Sequence, residues 1–449
     1  MKKQSLLILL AGIFALASVS CMPVTTCPHY EGENILNDNY EEPEDQGDDD
    51  GLPDYGEGIK LWLSADKNDY GTSVVTDGFG GVYVTGVIQL QEDNGDLGRV
   101  FITKFNDSLD VLWTKVISYT ENEKSTAMAV DNSGSIYVAG VTYGSIGGDF
   151  KNQGEADLFL AKFNGEGEIV WARQWGSEED DVINSMAIDR DDNIYVTGRT
   201  TGEFDGNMNI GKTDFFVTKF NDKGTKKWTK QLGTDEHESA MAIATDSENN
   251  VIVAGATNGE LDHCEHAEID PEHPYYSDSF LMKFDGDGTK LWTRQWGTEN
   301  DDYALSISIN SNDSIYVLED RTARMEWNVD DTFVTSFDGN GIKKTSKELY
   351  LAPVIYGNSI MTDSNGSVFV NGSMYEYGSN VVFLAKTDKN GNLESLKKIN
   401  SALELSGART MDIDKDGNIF MTGKTPDDWG DPEEYTVDAF LMKFNAEDL

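Results

Sequence analysis

Three of the chain's five histidines fall close together, at His263, His266 and His273, with Cys264 between the first two. Imidazole and thiolate are donors that zinc and copper favour, and ligands near one another in sequence cost little to order. Their spacing matches no closed structural site, so two other readings stand beside metal binding: a polar surface loop, or a disulfide from Cys264 to Cys27. A second group is acidic: Glu178-Glu179-Asp180-Asp181, Asp235-Glu236-His237-Glu238 and Glu299-Asn300-Asp301-Asp302. Crowded carboxylates of this kind attract cations or basic partners, or else form a solvated rim. Glu178, Asp181, Asp235, Glu238, Glu299 and Asp302 are therefore the candidate ligand-face residues, with Asp66, Asp69, Glu121 and Glu123 in kindred loops. No G-x-S-x-G, no H-E-x-x-H and no phosphate-binding Gly loop is present, so no residue is assigned a catalytic role and no resident cofactor is expected.

The whole chain carries 80 acidic against 35 basic residues, a formal charge of −45. That balance argues against DNA, RNA or an anionic lipid surface as partner, because phosphate binding needs basic patches. The first residues read as an export signal over 1–20: Lys2 and Lys3, then an apolar run from Leu6 to Val19 that is short for a membrane span. Ser18-Val19-Ser20-Cys21 resembles the lipobox of bacterial lipoproteins, although such boxes usually carry Leu where Ser18 stands. The resemblance implies a lipid on Cys21 and an anchor in the bacterial envelope; Met22, rather than Asp, after the cysteine resembles the pattern for outer-membrane sorting. Residues 21–57 read as an acidic tether, with twelve carboxylates and no Lys or Arg between Glu31 and Glu57. Within it, Asp48-Asp49-Asp50-Gly51-Leu52-Pro53-Asp54 loosely resembles a thrombospondin-type calcium loop, with Gln46 where its first Asp belongs.

Groups so scattered along the chain need a scaffold to bring them together, and residues 58–445 supply one as a repeat. One anchor is a short strand ending in a small residue and Gly, as in Ile136-Tyr137-Val138-Ala139-Gly140 and Ile194-Tyr195-Val196-Thr197-Gly198. It recurs around Tyr83, Ile252, Phe369 and Phe420, with a degraded seventh copy, Ile315-Tyr316-Val317-Leu318-Glu319. Five residues before each leading aliphatic stands Asp77, Asp131, Asp189, Asp246, Asp363 or Asp414, or Asn310 in the fifth copy. Asp and Asn bond their own backbone two residues on and so start tight turns. The second anchor is Phe-x-x-Lys-Phe, as in Phe159 to Phe163 and Phe280 to Phe284. At strand period its two Phe share one face and the Lys takes the other. A fourth strand carries Trp62, Trp113, Trp171, Trp228 or Trp292.

One four-stranded sheet of about 55 residues cannot bury two aromatic faces alone, whereas seven around an axis can. The ordered trio Asp-x-x-x-Asn-Ile-Tyr-Val-Thr-Gly, Asp-x-Phe-Leu-x-Lys-Phe and Gly-x-x-x-Trp resembles the bacterial seven-bladed β-propeller repeat family called SBBP. That resemblance implies a propeller on an exported protein and no defined chemistry. Asn164-Gly165-Glu166-Gly167-Glu168-Ile169-Val170-Trp171 is similar to quinoprotein-type repeats, among them lipoproteins that act in outer-membrane assembly.

The first strand holds Trp62, the unit's fourth position, and the last holds Phe440, the third, so the N-terminal strand is expected to complete the seventh blade. The expected protein is an all-β, monomeric, seven-bladed propeller of four-stranded blades. Strand parity puts tight turns on one face and long loops, with the acidic groups and the His263 insertion, on the other. The functional expectation is a non-enzymatic envelope lipoprotein whose long-loop face binds a protein, a glycan or a cation. Two alternatives are a scaffold in outer-membrane assembly and a hydrolase or lyase working in the long-loop face. Zinc, copper or calcium are the candidate ions.

Overall fold

The computed structural model describes residues 59–62, 68–92, 95–117, 123–146, 152–154, 156–263, 276–323, 329–352, 354–363, 365–376, 379–399, 407–424 and 439–449. Cys21, Cys27, Cys264, His266, His273, Asp66, Glu121, the export signal and the tether lie outside them, as does the His263 side chain.

The first described strand is β1 (Ile59–Trp62). Blade one is β2 (Asn68–Thr76), β3 (Val82–Glu92), β4 (Gly95–Phe105) and β5 (Val111–Ile117). Blade two is β6 (Glu123–Val130), β7 (Ile136–Thr142), β8 (Asp157–Phe163) and β9 (Ile169–Trp175). Blade three is β10 (Asp181–Ile188), β11 (Ile194–Thr200), β12 (Asp214–Phe220) and β13 (Lys226–Leu232). Blade four is β14 (Glu238–Thr245), β15 (Val251–Thr257), β16 (Asp278–Phe284) and β17 (Lys290–Trp296). Blade five is β18 (Asp301–Ile309), β19 (Ile315–Ala323), β20 (Val329–Phe337) and β21 (Lys343–Glu348). Blade six is β22 (Ile355–Thr362), β23 (Val368–Glu376), β24 (Ser379–Thr387) and β25 (Leu393–Ile399). Blade seven joins β26 (Gly407–Ile413), β27 (Asn418–Lys424) and β28 (Ala439–Asn445) to β1. Among the described residues these are seven four-stranded antiparallel sheets, and the first strands of neighbouring blades touch all round the ring. β1 pairs with β28 from Ile59↔Met442 to Trp62↔Ala439, the closure expected from the anchors.

The core lies between blades. One cluster joins Tyr137, Leu158 and Leu160 of blade two to Ile183, Ile194, Val196 and Phe216 of blade three. Another joins Val74, Val84 and Phe101 of blade one to Phe420 and Leu441 of blade seven. The glycine after each Tyr-Val anchor makes this packing fit. A Cβ on Gly140 would stand 2.0 Å from the Lys124 carbonyl and 2.8 Å from the Phe159 ring.

The repeated Asp, Tyr and Lys form one device. In blade two, Asp131 Oδ1 accepts from the backbone N–H of Ser133 and Ser135, both at 2.9 Å. Its Oδ2 accepts from Tyr137 Oη at 3.0 Å and Lys162 Nζ at 3.1 Å. Burial alone would raise this carboxyl; the bonds from Ser133, Ser135 and Lys162 outweigh it and bring it down to about 2. The lysines also bridge blades. Lys104, Lys219 and Lys283 donate to the carbonyls of Gly165, Gly286 and Gly339 in the next blade's turn, at 3.2, 2.8 and 3.0 Å. The fourth-strand Trp does likewise: Trp171 Nε1 donates to Asp222 O at 3.1 Å. Its ring covers Gly224, whose φ of 69° and absent side chain both suit the site, since a Cβ there would meet the ring at 2.9 Å. These lysines and tryptophans are thus structural.

Two departures stand out. In blades one and six the link from second to third strand is two residues, 93–94 and 377–378, not a long loop. The strands there run on as ladders, from Val82↔Phe105 to Glu92↔Gly95 in blade one. In blade five, Glu319 replaces the packing glycine and is fully buried. Arg321 answers it, ion-paired to Glu319 at 3.2 Å and Asp302 at 3.0 Å, with its guanidinium 3.7 Å from the Phe333 ring centre.

Candidate ligand-binding cleft

On the face that carries the loops between blades, the first strands of blades one to five carry an acid at or next to their start. Asp69, Glu123, Asp181, Glu238 and Asp302 occupy one register row in blades one to five, each two steps before the residue that faces the anchor Gly or Glu319. All five are buried. Asp181, Glu238 and Asp302 hold loops instead of facing water. Asp181 accepts from the backbone N–H and hydroxyl of Ser177. Glu238 accepts from Thr234 N and Oγ1, both at 2.7 Å, and from Thr257 Oγ1 at 2.7 Å. Asp302 accepts from Thr298 N at 2.7 Å and Oγ1 at 2.8 Å. Burial pushes the carboxyls of Asp181 and Asp302 up to about 6, against the pull of these bonds, and raises Glu238 as well.

Glu178, Asp235 and Glu299 are exposed on the same loops. The six candidate acids therefore divide: three clasp the backbone and three point to solvent. The sequence expectation of one acidic mouth does not describe this arrangement, because Ser177, Thr234 and Thr298, each four residues earlier, draw Asp181, Glu238 and Asp302 inward.

A cleft of about 800 Å³ opens beside these clasps, across blades two to five. Its floor is the register row one step inside the acids: Lys124, Val182, Ser239 and Tyr303 on first strands, Val141, Arg199 and Ala256 on second strands. Every first strand carries a bulge just beyond this row, at Thr126, Asn184 and Met241 in blades two to four. A bulge re-aims the extra side chain, and all three line the cleft. Tyr143, 48% exposed, and the exposed His237 and Asp180 stand at its edge. His237 is held in place, with Nδ1 2.8 Å from Thr213 Oγ1 and its carbonyl accepting from Asn258 N at 2.9 Å. Asp181 and Glu238 are in the lining; Glu178, Asp235, Glu299 and Asp302 are not.

Among the described residues no group of three or more His, Cys, Asp or Glu is placed to hold a metal ion. The His263, Cys264, His266 and His273 group has no described site; only the backbone of His263, ending a 3-10 turn from Leu261, is placed.

Lys124, Arg199, Tyr143, Tyr303 and the bulge residues are not among the sequence candidates. Arg199 had a partial signal: the residue after the anchor glycine is Val87, Val141, Ala256 or Ser373 in blades one, two, four and six, and a cation only in blades three and seven, as Arg199 and Lys424. The bulges had none, because every blade carries one whatever its residue.

Residues 170–205 match the SBBP beta-propeller repeat. The match spans Trp171, the Asp189 turn and the Tyr195 anchor, elements that recur with substitutions in the other blades. Over 215 residues the chain is 26% identical to the regulatory protein FlaEY of Caulobacter vibrioides, covering 44% of this chain and 22% of that protein. Over 188 residues it is 24% identical to an uncharacterized WD repeat-containing protein of Acanthamoeba polyphaga mimivirus, covering 33% of this chain and 14% of that one. The chain thus spans less than a quarter of either curated relative. Among solved structures it resembles a PL25 ulvan lyase bound to -[GlcA(1-4)Rha3S]-, with a TM-score of 0.53, 12% identity and coverage of 87% of this chain and 98% of that one. At that identity the likeness is one of fold.

Proposed function

We propose that the protein is an exported, lipid-anchored binding module whose cleft across blades two to five takes an oligosaccharide. The observation that carries this reading is the cleft itself: aromatic Tyr143 and Tyr303 stand beside amide, hydroxyl and imidazole groups in a space of about 800 Å³. Sugar rings offer apolar faces to aromatics and hydroxyls to such polar groups, and concave sites with a few converging polar groups are the usual form of a small-ligand site. The rigid sheets beneath let loops and bulges vary without loss of the fold.

Titration calorimetry with a panel of neutral and acidic oligosaccharides tests it. At least one should bind, and Tyr143→Ala should weaken that binding about tenfold or more, the loss of roughly one aromatic contact. Failure of every sugar to bind, or equal binding by the variant, would refute the assignment. A second reading, a hydrolase or lyase, is favoured by His237, whose ring is oriented by Thr213 at the cleft. New chain ends appearing during the same incubations would decide for it.

The anchor is part of the proposal and rests on the apolar run before Cys21. Cys21→Ser should move the protein from the membrane fraction to the soluble one. A processed Cys21→Ser protein that stays with the membrane would rule out lipidation at that residue.

A further inference from the structure

We infer that the oligosaccharide is acidic, and that Lys124 and Arg199 bind its carboxylate or sulfate. This rests on the cleft reading above and adds the charge of its ligand.

Lys124 and Arg199 lie in the same register row on neighbouring blades. Arg199 pairs in the ladder with Val182, the residue that in blade three holds the place Lys124 holds in blade two. Both side chains line the cleft and both are exposed. Arg199 is the one exposed residue in an otherwise buried strand, where β7 and β15 are buried throughout. Neither has an ion pair with a carboxylate among the described residues. Lys162, Lys212, Lys226, Lys283 and Lys290 have carboxylate partners, and Lys104 and Arg294 donate instead to backbone carbonyls of the next blade; the two cleft cations have neither kind of partner among the described residues.

The nearby acids do not cancel the pair. Asp181 and Glu238 are buried and turned to Ser177 and Thr234. Asp180 alone adds an exposed carboxylate to the lining. The charge of the remaining surface acts weakly here, because at about 0.15 M salt interactions fade over about 8 Å. Within the cleft, a planar guanidinium and an ammonium each offer charge-assisted bonds to an anionic oxygen.

Titration calorimetry at about 0.15 M salt would use three hexasaccharides: a galacturonate, a sulfated and carboxylate-free carrageenan, and neutral cellohexaose. The inference expects one acidic sugar to bind about tenfold or more tighter than the neutral one, the ratio expected of charge-assisted over neutral bonds. Which of the two acids is preferred identifies the group as carboxylate or sulfate ester. In Lys124→Gln/Arg199→Gln the ratio of acidic to neutral affinity should fall toward one, at an unchanged melting temperature. Equal affinities for all three sugars, or a preference that survives the double variant, would overturn the inference and leave the cleft reading standing. No binding by any of the three would overturn both.

Discussion

A protein lacking Ile59–Trp62 should unfold at a markedly lower denaturant concentration, with a loss of about 3–5 kcal/mol, comparable to deleting one large core side chain. β1 is only four residues long, yet it is the outer strand of blade seven and pairs with β28 at all four positions. Without it, the edge from Ala439 to Met442 loses its ladder. Ala439, Phe440, Leu441 and Met442 are all fully buried. They belong to the clusters that join blade seven to its neighbours, Phe440 and Met442 to one and Ala439 and Leu441 to the other. The loss therefore reaches both sides of the closing blade. A synthetic peptide carrying Ile59–Trp62 should restore part of the stability by adding back the strand. An unchanged denaturation midpoint in the truncated protein would show that ring closure does not depend on β1.

Much of the architecture was legible because its physics is local and repeated. Asp131, Tyr137 and Lys162 sit at fixed offsets since one carboxylate must reach a turn, a phenol and an ammonium at once. Trp171 and Gly224 are each readable in their own repeat, although the contact they make is between repeats. Closure followed from which strand began the series and which ended it. The site was less legible. An acidic run on a loop suggests a ligand face or a solvated rim, not a clasp; the Ser177, Thr234 and Thr298 that draw Asp181, Glu238 and Asp302 inward precede them by four residues in a consistent pattern. The cleft depends on where blades two to five differ from the common pattern, and a repeat search looks for what is shared. Arg199 and Lys124 are legible only when the columns of the repeat are compared residue by residue.

Asp246→Ala in blade four should cost about 3–5 kcal/mol, the usual loss when one partner of a buried ion pair is removed. Its Oδ2 pairs with Lys283 Nζ at 2.7 Å, with the two side chains 4% and 9% exposed, and accepts from Asn250 Nδ2 at 2.9 Å. Its Oδ1 accepts from the N–H of Glu248 and Asn250 at 2.9 Å. Blade four has Ile252 where blades one to three have Tyr, so no phenol shares the carboxylate, and Lys283 is its main charged partner. In the variant Lys283 keeps the Gly339 carbonyl at 3.0 Å but loses its counter-ion while still buried. Asp285→Ala, in the exposed turn of the same blade, should cost only about 1 kcal/mol, because it removes bonds to turn N–H groups that water can replace. Asp246→Ala/Lys283→Met should recover much of the loss, since an apolar pair leaves no buried charge behind. The pH dependence has a definite sign. Burial works to raise the Asp246 carboxyl, but Lys283, Asn250 and Glu248 together hold it below its ordinary value of 3.8. Its contribution is then complete above that value and fades as pH falls through the lower, folded one. The gap between wild type and Asp246→Ala should therefore be full at neutral pH and narrow below about pH 4. A gap that stays constant down to pH 2, or a double variant no more stable than Asp246→Ala, would mean that the carboxylate acts by filling space in the turn and not by its charge.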